Sequence, residues 1–171
     1  MLKGLLIAAL ALALPTLGHA RPDLERAGLG EAERLGEATI RWLGVPIYEA
    51  AVFTPKAQAF EWNAPMALEL TYRRGFAKGQ LLEATMKEII RVEGTRGDTP
   101  ALQTALADCY REVKPGDRVV AVSTSPNRLS LYQNSIRLCD LGFQNIQKRF
   151  LGIWLSGDSR IARLGPKLKG Q

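Results

Sequence analysis

The sequence predicts an α+β protein in which helices cover one face of a mostly antiparallel sheet. Three observations lead there. Extended segments rich in aromatic and β-branched residues fall into two groups, each broken by turn-forming residues. Two amphipathic helical stripes separate the groups, and further helical pattern follows the second. Strands, helices, strands, helices is an α+β order, not the strict alternation of a parallel sheet.

In chain order the first feature is a leader. Lys3 gives a short positive start, residues 5–14 are an unbroken apolar run, and Pro15 breaks it. Gly18-His19-Ala20 supplies the small residues favoured before a cleavage site, so residues 1–20 read as a signal peptide cut after Ala20. The run is shorter than the roughly 20 residues a bilayer-spanning helix needs. The expected location is periplasmic or secreted, with residues 21–171 as one domain.

The first strands are expected at 39–43 and 47–53, joined across Gly44 and Pro46 as a hairpin or sharp bend. A third follows at 66–72, where Met66, Leu68 and Leu70 alternate with Ala67, Glu69 and Thr71. In 80–92, Leu81, Leu82, Met86, Ile89 and Ile90 have helical spacing, with Glu83, Lys87, Glu88 and Arg91 outward. Thr99-Pro100 is a helix start, and Leu102, Ala105, Leu106, Cys109, Tyr110 and Val113 continue one stripe. Lys114-Pro115-Gly116-Asp117 turns the chain into strands at 119–123, 128–133 and 136–140. A helix at 143–155 carries Ile146, Phe150, Ile153 and Trp154 on one face, and a short helix covers 159–168.

Composition narrows the chemistry. The only histidine, His19, leaves with the leader. Without it there is no Ser-His-Asp triad, no Cys-His pair and no ordinary zinc site, and neither metal nor cofactor is expected. Without Lys3 the formal net charge falls from +6 to +5. A moderately basic exported surface is expected to meet anionic lipid headgroups or envelope polymers rather than nucleic acid, if it is more than solubility charge. Arg160, Arg163, Lys167 and Lys169 read as a solvated helix face near a frayed end. Cys109 and Cys139 could pair in an oxidising compartment. Cys109, however, falls on an apolar helix face, where a free thiol packs as a small hydrophobe, and that is the reading favoured.

Several strings carry a resemblance. The run from Arg41-Trp42-Leu43-Gly44-Val45-Pro46 through Ile47-Tyr48-Glu49-Ala50-Ala51-Val52-Phe53 resembles the opening strands of the bacterial chalcone isomerase-like family. So do Ala67-Leu68-Glu69-Leu70-Thr71-Tyr72, Val113-Lys114-Pro115-Gly116-Asp117-Arg118 and Phe150-Leu151-Gly152-Ile153-Trp154-Leu155, in matching order over nearly all of 21–171. The resemblance implies an open-faced sandwich, an antiparallel sheet with helices packed on one face and a ligand cleft between. Plant members of that superfamily cyclise chalcones to flavanones, while others bind fatty acids without catalysis. The plant enzymes use an Arg on an early strand, a Thr on the next and a Tyr after the first long helix. Here Glu49 stands nearest the Thr position and Arg96 the Tyr position. Arg34 and Arg41 are the nearest candidates for the early Arg, and neither matches cleanly. The flavanone-forming set is therefore not recognisable.

The candidate ligand-binding residues are Arg96, Arg41, Glu49, Tyr48 and Tyr72. Arg96, between two glycines, could meet a carboxylate with its planar fork or simply face solvent. Arg41 points into the cleft or into water. Glu49 is a buried acid, a partner for Arg41 or Arg96, or a solvent-side residue. Tyr48 and Tyr72 offer hydroxyls or belong to the core. The leading expectation is a non-catalytic binder of a fatty acid or similar amphipathic molecule. The alternatives are an isomerase or lyase on a conjugated carbonyl, with Glu49 or a Tyr as acid–base group, and an envelope structural or interaction protein whose cleft is filled.

Overall fold

A computed structural model describes residues 22–171, so the leader and its cleavage site lie outside the described residues. A short helix α1 (Pro22–Arg26) precedes strands β1 (Ala32–Trp42), β2 (Val45–Pro55) and β3 (Met66–Tyr72). Helices α2 (Lys78–Glu93) and α3 (Thr99–Cys109) come next, followed by β4 (Arg118–Ser125), β5 (Arg128–Gln133) and β6 (Ile136–Gly142). Helix α4 (Ile146–Leu155), a 3-10 turn (Ala162–Leu164) and α5 (Gly165–Leu168) end the chain. Among the described residues the strands form one six-stranded sheet in chain order, every pair antiparallel. The expected α+β class and its segregation of strands and helices are what the chain adopts.

Turn chemistry fixes the register. Leu43 and Gly44 (φ 49° and 80°) close the β1–β2 hairpin, and Asn134 and Ser135 (φ 50° and 68°) close β5–β6. Both central residues of each turn are left-handed, the geometry that matches the twist of paired strands. The departures from expectation cluster at element ends. β1 begins at Ala32 because pairing with β2 carries it through a bulge at Arg34/Gly36, where the polar sequence hides the alternation. Gly36 is required there: a Cβ would stand 2.2 Å from the Lys167 carbonyl oxygen, so only glycine lets the C-terminal segment cross this edge. α3 stops at Cys109 since Tyr110 is extended (φ −68°, ψ 146°), and Val113 pairs with Phe76 instead of continuing the helix. The expected helix over 159–168 divides into the 3-10 turn and α5, and α1 was not anticipated.

Period-two alternation gives the sheet two apolar faces. Ala50 and Val52 of β2 and Leu68 and Leu70 of β3 point to the layer formed by α2, α3 and α4. Ala51, Phe53, Ala67, Val120, Val122 and Tyr132 point the other way and are covered by Leu24 and Leu29 of the N-terminal segment. Cys109 is not a free thiol. The stripe of α3 lies on β6, which brings its Cα to 5.5 Å from that of Cys139, and the two form a disulfide. The sequence contained both thiols but not their distance across the sheet.

Candidate functional site

On the helix-covered face the side chains do not close the space between the layers. A cavity of about 570 Å³ remains there, bounded by all six strands, by α2 and by α4. Ile40, Leu68, Leu70, Ala121, Leu131 and Leu138 form much of its floor. Its roof is one stripe of α2, Leu81, Ala84, Thr85 and Glu88, at the i, i+3, i+4, i+7 spacing of a single helix face. Phe150, Ile153 and Trp154 of α4 form a side wall. The neighbouring stripe of α2, Met86 and Ile89, is buried in the helix layer. The volume lies in the range typical of small-molecule sites, roughly 300–1,000 Å³, and the lining is mainly apolar with few polar groups.

Three tyrosines supply the interior polarity. Tyr48 and Tyr72 meet with tilted rings at a centroid distance of 5.5 Å, and Tyr72 meets Phe76 edge-on at 6.0 Å. Trp154 Nε1–H donates to the Tyr48 hydroxyl at 3.0 Å. The Tyr110 hydroxyl and Thr85 Oγ1 share a hydrogen bond of 2.9 Å. Burial pushes Tyr48 up to about 12, against the opposing pull of the Trp154 hydrogen bond. Burial also raises Tyr72, with the nearby Tyr48 and Tyr110 hydroxyls adding to the effect. Tyr110 is raised for the same first reason. All three are neutral hydrogen-bonding groups at neutral pH.

Charge is confined to the rim. At one end Arg41, Trp42, Glu88 and Arg160 border the cavity. Arg41 Nη1–H donates to the Gly44 carbonyl at 3.2 Å. Arg160 pairs with Glu88 at 3.1 Å and lies over the Trp42 ring at 5.7 Å. Glu88, expected to face outward, instead turns to the mouth and is only 15% exposed. Ile90 takes the exposed position on α2.

The five sequence candidates separate cleanly. Tyr48, Tyr72 and Arg41 border the cavity. Glu49 does not: it lies between Tyr48 and Ala50 on β2, which puts its side chain on the opposite face, where it pairs with Arg73. Of the readings open for Glu49, the structure has the solvent-side one. Arg96 is not at the cavity either. It sits beside Glu93 and Asp98, each at 3.7 Å, and donates to Gln144 at 3.4 Å. The centre of that group is Arg149, a buried guanidinium that donates to Glu93 at 2.8 Å and to both Asp98 oxygens at 2.7 and 3.0 Å. It ties α4 to the end of α2 and the start of α3. The Arg149 hydrogen bonds hold the Asp98 carboxyl below its ordinary range. Tyr110 and Thr85 are cavity residues that only the helical stripe containing Tyr110 hinted at. Arg160, expected on a solvated helix face, lies instead in the turn after α4, where its pairing with Glu88 and contact with Trp42 hold it at the cavity border.

The fold and the cavity define a class: an open-faced α+β sandwich with an apolar, tyrosine-lined chamber between sheet and helices. No protein-family model matches the chain. The crystal structure of a fatty-acid binding protein from Arabidopsis thaliana superposes with a TM-score of 0.61 at 9% sequence identity, covering 82% of this chain and 88% of that one. The chalcone isomerase-like fold implied by the sequence resemblance is the fold of this chain. An uncharacterised protein of Haemophilus influenzae strain Rd is 23% identical over 137 residues, 80% of this chain and 67% of its own length.

Proposed function

We propose that this protein is an exported, non-catalytic carrier that holds a fatty acid or similar amphipathic molecule between its sheet and helices. The observation that carries the reading is the apolar chamber of about 570 Å³ spanning the sheet. A hydrocarbon chain fits its lining, and the headgroup rests at the rim between Arg41 and Arg160, where the four basic residues bordering the cavity (Arg41, Lys87, Arg111 and Arg160) outnumber the two acidic ones (Glu83 and Glu88). The fatty-acid binding protein of the same fold supports this choice of ligand class. An open chamber argues against a purely structural role, which a filled cleft would suit better. The Cys109–Cys139 disulfide suits an oxidising compartment and so supports export, as does the leader pattern.

Native mass spectrometry of protein recovered from cells expressing the full chain tests the reading. A stoichiometric adduct of fatty-acid mass, released by solvent extraction, is the expected result. A clean unliganded mass that stays unchanged on addition of oleate would overturn it.

A further inference from the structure

Three of the five large apolar side chains exposed among the described residues lie at one point, with Ile90 on α2 and Ile136 on β6 standing apart from them. Trp42 is 55% exposed, Leu43 88% and Val45 40%, and all three sit at the tip of the β1–β2 hairpin. Leu43 is unusual in a second way. It occupies a left-handed backbone position (φ 49°) beside Gly44, a place where a side chain with a Cβ is strained and where Asn or Gly is the usual choice. A leucine there gives the folded chain neither burial nor a relaxed backbone. Strain and exposure at one residue point to a partner that covers it.

The surroundings select the partner. Arg41 is part of the tip, and Arg160 stacks on Trp42. The turn after β3 lies alongside, its Arg73 N–H donating to the Ile47 carbonyl at 2.8 Å, and it presents Arg73 and Arg74. Glu88 and Glu49 answer Arg160 and Arg73, whereas Arg41 and Arg74 have no acidic partner among the described residues. An apolar wedge with a Trp at its base and unpaired arginines around it matches the layers of an anionic bilayer, apolar below and negatively charged at the surface. Trp42, Arg41 and Arg160 also border the cavity. The wedge and the mouth are one place.

We propose that the β1–β2 hairpin tip docks on an anionic phospholipid surface, with Leu43 and Trp42 entering the headgroup boundary and Arg41 and Arg74 resting on the lipid phosphates. Docking sets the cavity mouth against the bilayer, so an acyl chain passes between membrane and chamber without crossing water. The transfer step rests on the fatty-acid reading above; the docking itself does not.

Co-sedimentation with phosphatidylcholine vesicles, with and without phosphatidylglycerol, tests the proposal. Association is expected with the anionic vesicles and should weaken as salt is raised. Leu43→Asn relieves the backbone strain, so the variant should be at least as heat-stable as the parent. It should nevertheless bind the anionic vesicles about ten-fold more weakly, the loss expected when one leucine side chain is withdrawn from an apolar environment. Arg41→Gln with Arg74→Gln should lower binding and flatten its salt dependence. No association with anionic vesicles, or association that Leu43→Asn leaves unchanged, would overturn the proposal, as would a tip that captures a protein and no lipid. Native mass spectrometry of Leu43→Asn separates the two readings. If the docking proposal alone is wrong, oleate still fills the chamber; if the fatty-acid reading alone is wrong, vesicle binding still depends on Leu43.

Discussion

The two faces of the sheet are built from the same strands and solve opposite problems. On the outer face Leu24 and Leu29 seat on Ala51, Phe53, Ala67, Val120, Val122 and Tyr132, which share one cluster. The rim of that cluster is charged. Arg118 bridges Asp23 at 3.0 Å and Glu69 at 2.8 Å and donates to Ser135 Oγ at 2.9 Å. On the inner face small side chains such as Ala121 on β4 and Ala84 on α2 leave room, and tyrosine hydroxyls take the place of ions. One face is packed shut by a short N-terminal segment; the other, beneath much larger helices, stays hollow. A chain able to close one face with so little apolar surface is not short of packing material. The hollow face is therefore best explained by function.

The sharpest way to break the comparison is to remove the charge that seals the outer face. Asp23 is fully buried, and Arg118 is the cation beside it. Arg118→Met keeps the stem and leaves Asp23 and Glu69 without that counter-charge. Breaking a buried pair from one side costs about 3–5 kcal/mol, so the urea midpoint should fall sharply while oleate stoichiometry in the folded fraction stays the same. A loss near zero would mean that the apolar contacts alone hold the N-terminal segment in place.

A matched pair of substitutions tests the faces directly. Ala67 and Ala121 lie on adjacent strands, β3 and β4, and both are nearly fully buried. Ala67 points outward into the closed cluster and Ala121 inward to the cavity. Ala67→Phe should overpack its surroundings and cost about 1–3 kcal/mol, with ligand binding retained. Ala121→Phe should be tolerated, because the ring has a chamber to occupy, and should displace the bound acyl chain. Equal destabilisation by both would show that the inner face is as tightly packed as the outer.

Much of this architecture was legible in the sequence, for physical reasons that particular residues illustrate. Met66–Tyr72 was readable to the residue because strict alternation, with a turn after it, leaves one register. Arg128–Gln133 was equally plain between two turns. The first half of β1 was not, since an edge strand with a bulge and charges at Glu33, Arg34 and Glu37 has no apolar period to read. The site was legible only in part. Tyr48 and Tyr72 follow from alternation. Glu49 is the same rule applied one residue further on, which sends it to the far face. Arg96 stands nearest the Tyr position of the resemblance and between two glycines, yet its surroundings are set by Arg149, which reaches Glu93 and Asp98 from a helix remote in sequence. Glu88 turned inward because α2 presents one stripe to the helix layer and another to the cavity, and a single amphipathic pattern does not distinguish them.

The smallest expected effect concerns the inner face alone and separates buried tyrosine from buried charge. An unfolded tyrosine ionises near pH 10, whereas folded Tyr48 holds its proton to about 12. Between these values the unfolded chain has lost a proton that the native protein keeps, so stability falls as pH rises. The Tyr48 contribution is intact below pH 10 and declines by at most about 1.4 kcal/mol per pH unit above it. Tyr72 and Tyr110, also raised by burial, steepen the decline. Tyr48→Phe should make the fall shallower across pH 10–12 in a series of urea titrations. At neutral pH the same variant should lose about 1 kcal/mol, because Trp154 Nε1–H loses its acceptor. An unchanged alkaline slope would remove Tyr48 from the titrating set. A flattening that is larger with oleate bound than without it would place the acyl chain against the Tyr48 hydroxyl, since added burial raises its folded pKa further, making this titration a probe of where in the chamber the ligand sits.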